Sequence, residues 1–197
     1  MKWYWLVDCD NVKPNPYVAG TGDLQGAEDW QLWQGKPITG WRPDSWVQAL
    51  TEEEDGDPDD VLQTFLGVPI FSPRLRHSLE TAQLGAIQYL SIRVLRRDGA
   101  NIEGFCVANV LSVVDCLDTK RSVIDRFEND YFLPERRGRI SGVRLPVLRR
   151  SALWGHDLVR CKGYEVSLYA SSRFRAVFEG GGFTGYSFKE VDIAEEE

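Results

Sequence analysis

The fold is decided by a motif that occurs twice, SPRLRHSLE at residues 72–80 and SSRFRAVFE at residues 171–179. The two segments align without a gap as Ser-x-Arg-apolar-Arg-x-x-apolar-Glu. In each segment two apolar residues lie four positions apart, Leu75 with Leu79 and Phe174 with Phe178, so they share one face of a helix. Ser72 suits the N-cap position, and Pro73 suits the first helical position because its missing N–H is harmless there. The repeat therefore predicts two short, related helices.

Each predicted helix lies between two apolar segments that favour strands, residues 68–71 and 87–94 in the first copy, and residues 165–169 and 186–191 in the second. Gly85 and the glycines at 180–182 are expected to end the helices. Other strand candidates are residues 88–95, 102–114, 140–148 and 157–161, with a turn at residues 98–99. The pattern predicts an α+β fold: a mixed sheet with few short helices and two related strand-helix-strand units.

The segment before the first repeat predicts three further elements. Residues 2–8 favour a strand that is buried on both faces, since aromatic and aliphatic residues alternate on each side. Residues 30–34, WQLWQ, favour a short aromatic strand. A helix is expected to begin near Asp59 or Asp60 and to turn Val61, Leu62 and Phe65 toward the core.

Length and charge suggest one domain over residues 1–197, made of an acidic, aromatic part (1–65), a core with the repeat (66–191) and an acidic tail (192–197). The net charge is -7, but residues 1–65 hold 13 acids against 4 Lys/Arg, whereas residues 66–189 hold 12 acids against 19. Either the two parts pair internally, or one acidic face is kept for a cationic partner.

The four cysteines, Cys9, Cys106, Cys116 and Cys161, show neither a disulfide framework nor the spacing of a zinc site, so buried thiols are expected. No apolar stretch approaches the length of a secretory signal or a membrane span. These features predict a cytoplasmic protein that needs no cofactor and no metal.

Three motifs suggest chemistry, and each has a simpler interpretation. Asp8 and Asp10 at the end of a strand resemble a metal-binding carboxylate pair, but the Pro- and Gly-rich residues 11–26 leave no room for the following helix, and no P-loop is present. Asp55, Asp57 and Asp59 resemble half a calcium loop that lacks the glycine and glutamate of an EF-hand. The two histidines, His77 and His156, form no recognisable triad and are expected at the surface. No catalytic residue is predicted.

Arginines recur near both predicted helix N-termini, where a cation is electrostatically disfavoured unless an anion lies nearby. One interpretation is a bound phosphate or carboxylate ligand. The other is structural: an arginine held by a backbone carbonyl or by an aspartate from another segment, with pairs one turn apart within each helix. The residues of this structural motif are Ser72, Arg74, Arg76, Glu80, Ser171, Arg173, Arg175 and Glu179.

The tryptophans support either a stacking platform for a sugar or peptide, or core packing. The alternation of Trp3 and Trp5 on one strand face favours the core. Trp41 and Trp46 flank a predicted loop, so exposure and contact with a partner are expected for them.

Three segments in this order and spacing resemble a bacterial family first described as a domain of unknown function: FSPRLRHSLE (71–80), GFCVANVLSVVDCLD (104–118) and YASSRFRAVFEGGGFTGYSF (169–188). Members of the family are proposed immunity proteins of polymorphic toxin systems, and the resemblance extends over residues 30–191. It implies a non-enzymatic cytoplasmic protein, encoded beside a toxin, that binds and silences that toxin without contacting nucleic acid or membrane directly.

A nuclease toxin would have a cationic cleft, which an acidic loop at residues 52–60 is suited to occupy. The expected partner-binding residues are Glu52, Glu53, Glu54, Asp55, Asp57, Asp59, Asp60, Trp41 and Trp46. Two alternatives remain open: a metal-dependent phosphoesterase or nuclease that uses Asp8 and Asp10, and a Trp-rich module that binds a carbohydrate or another small ligand.

Overall fold

A computed structural model of the chain describes residues 1–8, 18–50, 58–64, 67–96 and 98–195. This part contains two α-helices, α1 (Pro73–Thr81) and α2 (Ser172–Gly180), and short 3-10 helices at Asp29–Trp33, Pro134–Arg136 and Ser151–Leu153. The strands, in chain order, are β1 Trp3–Asp8, β2 Val18–Asp23, β3 Trp46–Leu50, β4 Val61–Thr64, β5 Ile70–Phe71, β6 Ile87–Ser91, β7 Arg93–Leu95, β8 Asn101–Ile102, β9 Cys106–Val110, β10 Val113–Val114, β11 Val123–Arg126, β12 Ile140–Leu145, β13 Val147–Arg149, β14 Leu158–Cys161, β15 Tyr164–Ser171 and β16 Tyr186–Ala194. The predicted α+β fold with mixed sheet is confirmed.

The strands form two large sheets and one separate hairpin. The first sheet has the order β10-β14-β15-β1-β16-β13, and the second has the order β6-β9-β5-β4-β2-β3-β7-β8. Among the described strands, β11 and β12 pair only with each other. Most neighbours are antiparallel, but β13 with β16, β10 with β14, β2 with β4 and β3 with β7 are parallel, so both sheets are mixed.

The repeated motif extends to a repeated topology. In the first unit the hairpin β4–β5 leads into α1 and then β6, and β9 lies between β5 and β6, antiparallel to both. In the second unit the hairpin β14–β15 leads into α2 and then β16, and β1 lies between β15 and β16, antiparallel to both. The two units therefore share one architecture, although the inserted strand follows the helix in one copy and begins the chain in the other.

Both helices begin as the repeat predicts. The hydroxyl oxygen of Ser72 accepts a hydrogen bond from the Leu75 N–H at 3.2 Å, and Ser171 accepts one from the Phe174 N–H at 3.2 Å. The prediction that Gly85 ends the first helix is wrong, because the left-handed residue after α1 is Gln83, with φ of 51°. Its counterpart after α2 is Gly182, with φ of 60°, so the second helix does end at the predicted glycines.

In the described part of the chain, three hydrophobic cores hold the layers together. The first contains residues of both helices and of both large sheets, including Leu79 and Phe178. The second covers the opposite face of the larger sheet and includes Leu32 from the first 3-10 helix. The third covers the opposite face of the smaller sheet and includes Trp3. Strand β1 is central in its sheet and packs on both faces, as its sequence predicts.

Two predicted elements are wrong in type. Residues 30–34 are not a strand: the 3-10 helix Asp29–Trp33 buries Leu32, and its first turn is fixed by the Glu28 N–H, which donates to the Gln31 side chain at 2.7 Å. Residues 61–64 are a strand, not a helix. Val61 and Leu62 are both buried but belong to different cores, and consecutive residues point to opposite faces only in a strand.

Candidate partner-binding surfaces

Asp60, one of the predicted partner-binding acids, is buried and bound within the fold. Its side chain is 6% exposed, and its carboxylate accepts hydrogen bonds from the Ser72 hydroxyl at 2.6 Å, from Arg74 Nε at 2.7 Å and from the Thr184 N–H at 3.0 Å. Asp59 is also buried. Asp60 is therefore a structural residue that ties the start of α1 to the segment after α2.

Asp157 plays the same part in the second unit. Its carboxylate accepts from the Ser171 hydroxyl at 2.7 Å and from Arg173 at 3.1 Å. Arg173 also donates to the carbonyl of Ala82 at the end of α1, while Arg74 donates to the carbonyls of Gly181 and Gly182 after α2. Each helix thus supplies the cation that neutralises the C-terminus of the other helix.

The outer arginines of the repeat also have partners in the chain. Arg76 pairs with Glu80 at 3.1 Å, and Arg175 pairs with Glu179 at 2.8 Å. These contacts, together with those of Arg74 and Arg173, are the ones that the structural interpretation of the repeat expects.

The remaining acids of the predicted site, Glu52, Glu53, Glu54, Asp55 and Asp57, lie outside the described residues, as does Asp10. The two predicted tryptophans are half-buried, so the expectation that they are exposed is wrong. The indole N–H of Trp41 donates to the Ser91 carbonyl at 2.7 Å, and Trp46 begins strand β3. The exposed tryptophans are Trp30, at 53%, and Trp154, at 90%.

A groove of about 900 Å³ lies beside Trp30. One wall is the segment from the first 3-10 helix to residue 36, and the opposite wall is the β11–β12 hairpin with its loop. The turn between β14 and β15, together with the first residues of β15, contributes residues 162–166. Trp30, Trp33, Phe127 and Tyr164 supply aromatic surface, so the groove combines apolar walls with an open mouth. Its elements are far apart in sequence, which is why no sequence motif revealed it.

The first wall is fixed by close contacts. Gly35 has φ of 65°, and a Cβ at that position would lie 2.7 Å from the Leu111 carbonyl oxygen, so only glycine lets the wall approach this closely. The buried Asn109 donates to the Lys36 carbonyl at 2.9 Å, and Gln88 exchanges two hydrogen bonds of 2.8 Å with the backbone of Ile38. The sheet beneath this wall therefore fixes its position.

The charge of the groove is positive. Four exposed cations line it, Lys36, Arg136, Arg139 and Lys162, against the single carboxylate of Glu165. Glu165 is half-buried, and its carboxylate already accepts a hydrogen bond from the Gly163 N–H at 2.6 Å. No carboxylate of the described residues lies within salt-bridge distance of the four cations.

A fifth cation lies behind the groove floor. Arg160 is buried and donates to the carbonyls of Glu165 at 2.5 Å and of Gly67 at 3.0 Å, and its Nε–H has no acceptor in the described part of the chain. Burial disfavours the charged form and lowers the pKa of Arg160 to about 10, which still leaves it a cation at neutral pH. The Nε1–H of Trp33 on the groove wall also lacks an acceptor there.

The described residues also show buried thiols. Cys106, Cys116 and Cys161 are all buried, and the sulfurs of Cys116 and Cys161 lie 2.7 Å apart. No group of three or more potential metal ligands occurs among the described residues. Neither helix of that part has the length and apolarity needed to cross a bilayer.

Comparison with protein-family models gives a match to the immunity protein family Imm11 over residues 13–193. The chain belongs to the Imm11 family. The resemblance drawn from the three sequence segments is thereby confirmed. The Imm11 match includes both repeats and every residue of the groove. A search among curated proteins gave no match.

Proposed function

We propose that this chain is a stoichiometric inhibitor that binds a cognate bacterial toxin and neutralises it, with no turnover of its own. The observation that carries the proposal is the Imm11 match over residues 13–193. An inhibitor of this kind needs a surface held in a fixed shape, because ordering a flexible surface on binding costs affinity. Three hydrophobic cores and reciprocal arginine contacts between the helices support such a surface.

The toxin in this proposal is a nuclease, and the acidic segment at residues 52–57 occupies its cationic substrate cleft. Glu52, Glu53, Glu54 and Asp55 are four consecutive acids, and Asp57 follows. Opposite charges at an interface speed encounter, and this effect weakens as salt rises. A segment that fills the path of the phosphate backbone would also exclude the substrate.

The first test is co-expression of the full chain with the toxin domain encoded by the adjacent reading frame. Cells that carry both proteins are expected to survive, and a complex with one copy of each protein is expected to purify. An immunity protein from an unrelated family serves as the control and should leave the toxin lethal. Unchanged killing in the presence of well-expressed chain, or repeated turnover of a substrate by the purified chain, would contradict the proposal.

The acidic segment is tested by reversing the charges of Glu52, Glu53, Glu54 and Asp55 together. The association rate with the toxin should fall by about tenfold or more at low salt, and its dependence on salt should weaken. A matched control reverses four exposed acids elsewhere, Asp44, Asp98, Glu103 and Glu190. Equal rates for the two variants would remove residues 52–55 from the interface.

A further inference from the structure

We propose that the cationic groove between the first 3-10 helix and the β11–β12 hairpin is a second toxin-binding surface, which takes an acidic segment of the toxin. This inference rests on the proposed function, because it names a contact made by the same partner. It concerns residues that the predicted partner-binding site did not include.

Charge complementarity identifies the partner chemistry. Lys36, Arg136, Arg139 and Lys162 line the groove without a carboxylate partner among the described residues. Two exposed arginines outside the groove do have carboxylate partners: Arg42 pairs with Asp44, and Arg144 on the same hairpin pairs with Asp125. Unpaired cations concentrated in one concave site raise the local concentration of anions there. The groove is therefore complementary to carboxylates.

The buried arginine strengthens this complementarity. Arg160 places a guanidinium against the carbonyl of Glu165, directly behind the groove lining, and its only charged neighbour among the described residues is the Glu165 carboxylate, which is not within salt-bridge distance. A buried cation is screened less by salt than an exposed one. Its field is therefore expected to persist in the groove when the four exposed cations are screened.

The groove also has the side-chain types that dominate the energy of protein interfaces. Tryptophan, tyrosine and arginine are enriched among interface residues that contribute most to binding, and Trp30, Trp33, Tyr164, Arg136 and Arg139 all line this groove. Beyond the groove, rings continue along the hairpin loop from Phe127 to Tyr131 and Phe132, with centroids 4.6 and 4.5 Å apart. Phe132 is 74% exposed, so the aromatic surface extends past the mouth.

A protein segment fits these features better than a nucleic acid strand. The chain carries a net charge of -7, which repels a long polyanion. Exposed acids also stand on the hairpin loop beside the groove cations, namely Glu128, Asp130 and Glu135. A strand with a phosphate at every nucleotide would meet these acids along its path, whereas a peptide can place its own acids only where the cations are.

The test measures binding of the full chain to the toxin domain by surface plasmon resonance at 50 and 300 mM salt. It compares the parent chain with a groove variant and a control variant. The first variant carries Arg136→Glu and Arg139→Glu, and affinity should fall by about tenfold or more while the salt dependence weakens. Its control carries Arg42→Glu and Arg144→Glu, two arginines outside the groove that are exposed like Arg136 and Arg139. The control should bind within about twofold of the parent chain, since it reverses the same number of charges at positions that do not line the groove.

The aromatic wall is tested by Trp30→Ala, with Trp154→Ala as its control. Trp154 is the more exposed of the two and lies in a different pocket, lined by Met1 and Arg173. The control therefore shows what the loss of any exposed tryptophan does to binding. Trp30→Ala should weaken toxin binding by about tenfold, and Trp154→Ala should leave it unchanged. The Tm of each variant, measured by thermal unfolding, shows whether weaker binding reflects the missing contact or an unfolded protein.

The outcomes distinguish the groove from the proposed function. If the parent chain does not bind the toxin domain, the proposed function fails and the groove proposal falls with it. If the parent chain binds and neutralises the toxin while both groove variants bind as tightly as their controls, only the groove proposal is overturned. It is also overturned if a ten-nucleotide single-stranded oligonucleotide competes with the toxin for the parent chain but not for the groove variants, because the groove is then a nucleic acid site.

Discussion

Replacement of Asp60 by alanine should destabilise the protein more than the equivalent replacement in the second unit. Asp60→Ala leaves the part-buried Thr184 N–H without its acceptor, which costs at most about 1–3 kcal/mol, and removes the partner of the Ser72 hydroxyl, at about 1 kcal/mol. The ion pair adds about 0–1 kcal/mol, because the Arg74 side chain is 55% exposed and water screens it. The expected loss in free energy of unfolding is about 3 kcal/mol.

The matched variant is Asp157→Ala. Asp157 also accepts from a serine and an arginine, but it is 14% exposed, and no backbone amide is shown donating to it. Its loss should cost about 1–2 kcal/mol. Urea unfolding followed by tryptophan fluorescence measures both values, and the midpoint for Asp60→Ala should fall by about 1 M or more. Equal losses in the two variants, or a larger loss at Asp157, would refute the role assigned to the Thr184 contact.

Three further predictions follow from single contacts in the fold. Gln83→Gly should raise the free energy of unfolding by about 0.5–1 kcal/mol, because glycine adopts the left-handed conformation of this position without strain. Gly182→Gln should lower the free energy of unfolding by about 1 kcal/mol, because it introduces that strain; open space surrounds the position, so no clash adds to the loss. Calorimetry would show opposite shifts in Tm for the two variants. Burial raises the pKa of Cys106 from its ordinary 9.0 to about 11, so between those pH values only the unfolded chain releases the thiol proton. The free energy of unfolding should therefore fall as pH rises from 9 to 11. Cys106→Ala should reduce that fall, which is measured by urea unfolding of the parent chain and of the variant at both pH values. Leu79→Ala should cost about 2–5 kcal/mol, because Leu79 is fully buried in the core shared by both helices, whereas His77→Ala on the exposed face of α1 should change the unfolding free energy by under about 0.5 kcal/mol.

Local features of the sequence were sufficient for the helices and for most strands. Nine residues contain the whole pattern of each helix start, and Ser72 and Ser171 make the same capping bond at 3.2 Å. The errors occur where a local pattern had two solutions. The segment WQLWQ suits a strand as well as a 3-10 turn, and the choice was made by Leu32, which is buried in a core built from distant strands.

The candidate surface was much less predictable than the fold. The acids at 52–57 are visible as a run, yet Asp60, only a few residues further on, points into the fold because Arg74 and Thr184 meet it there. The groove combines Trp30, Arg136 and Lys162, which no spacing rule connects. In the sequence, the cluster ERRGR at residues 135–139 indicates a cationic surface. Its position beside the aromatic wall depends on the tertiary structure.

The sequence by itself determined the two helices, their serine caps and the α+β class, since each depends on interactions within a few residues. Only the tertiary structure decided that β9 and β1 insert at equivalent places, that Arg74 and Arg173 each reach the end of the other helix, and that a cationic groove forms. The physical reason is that strand pairing and these contacts join residues up to 188 positions apart, and burial summed over the whole chain selects among such pairings.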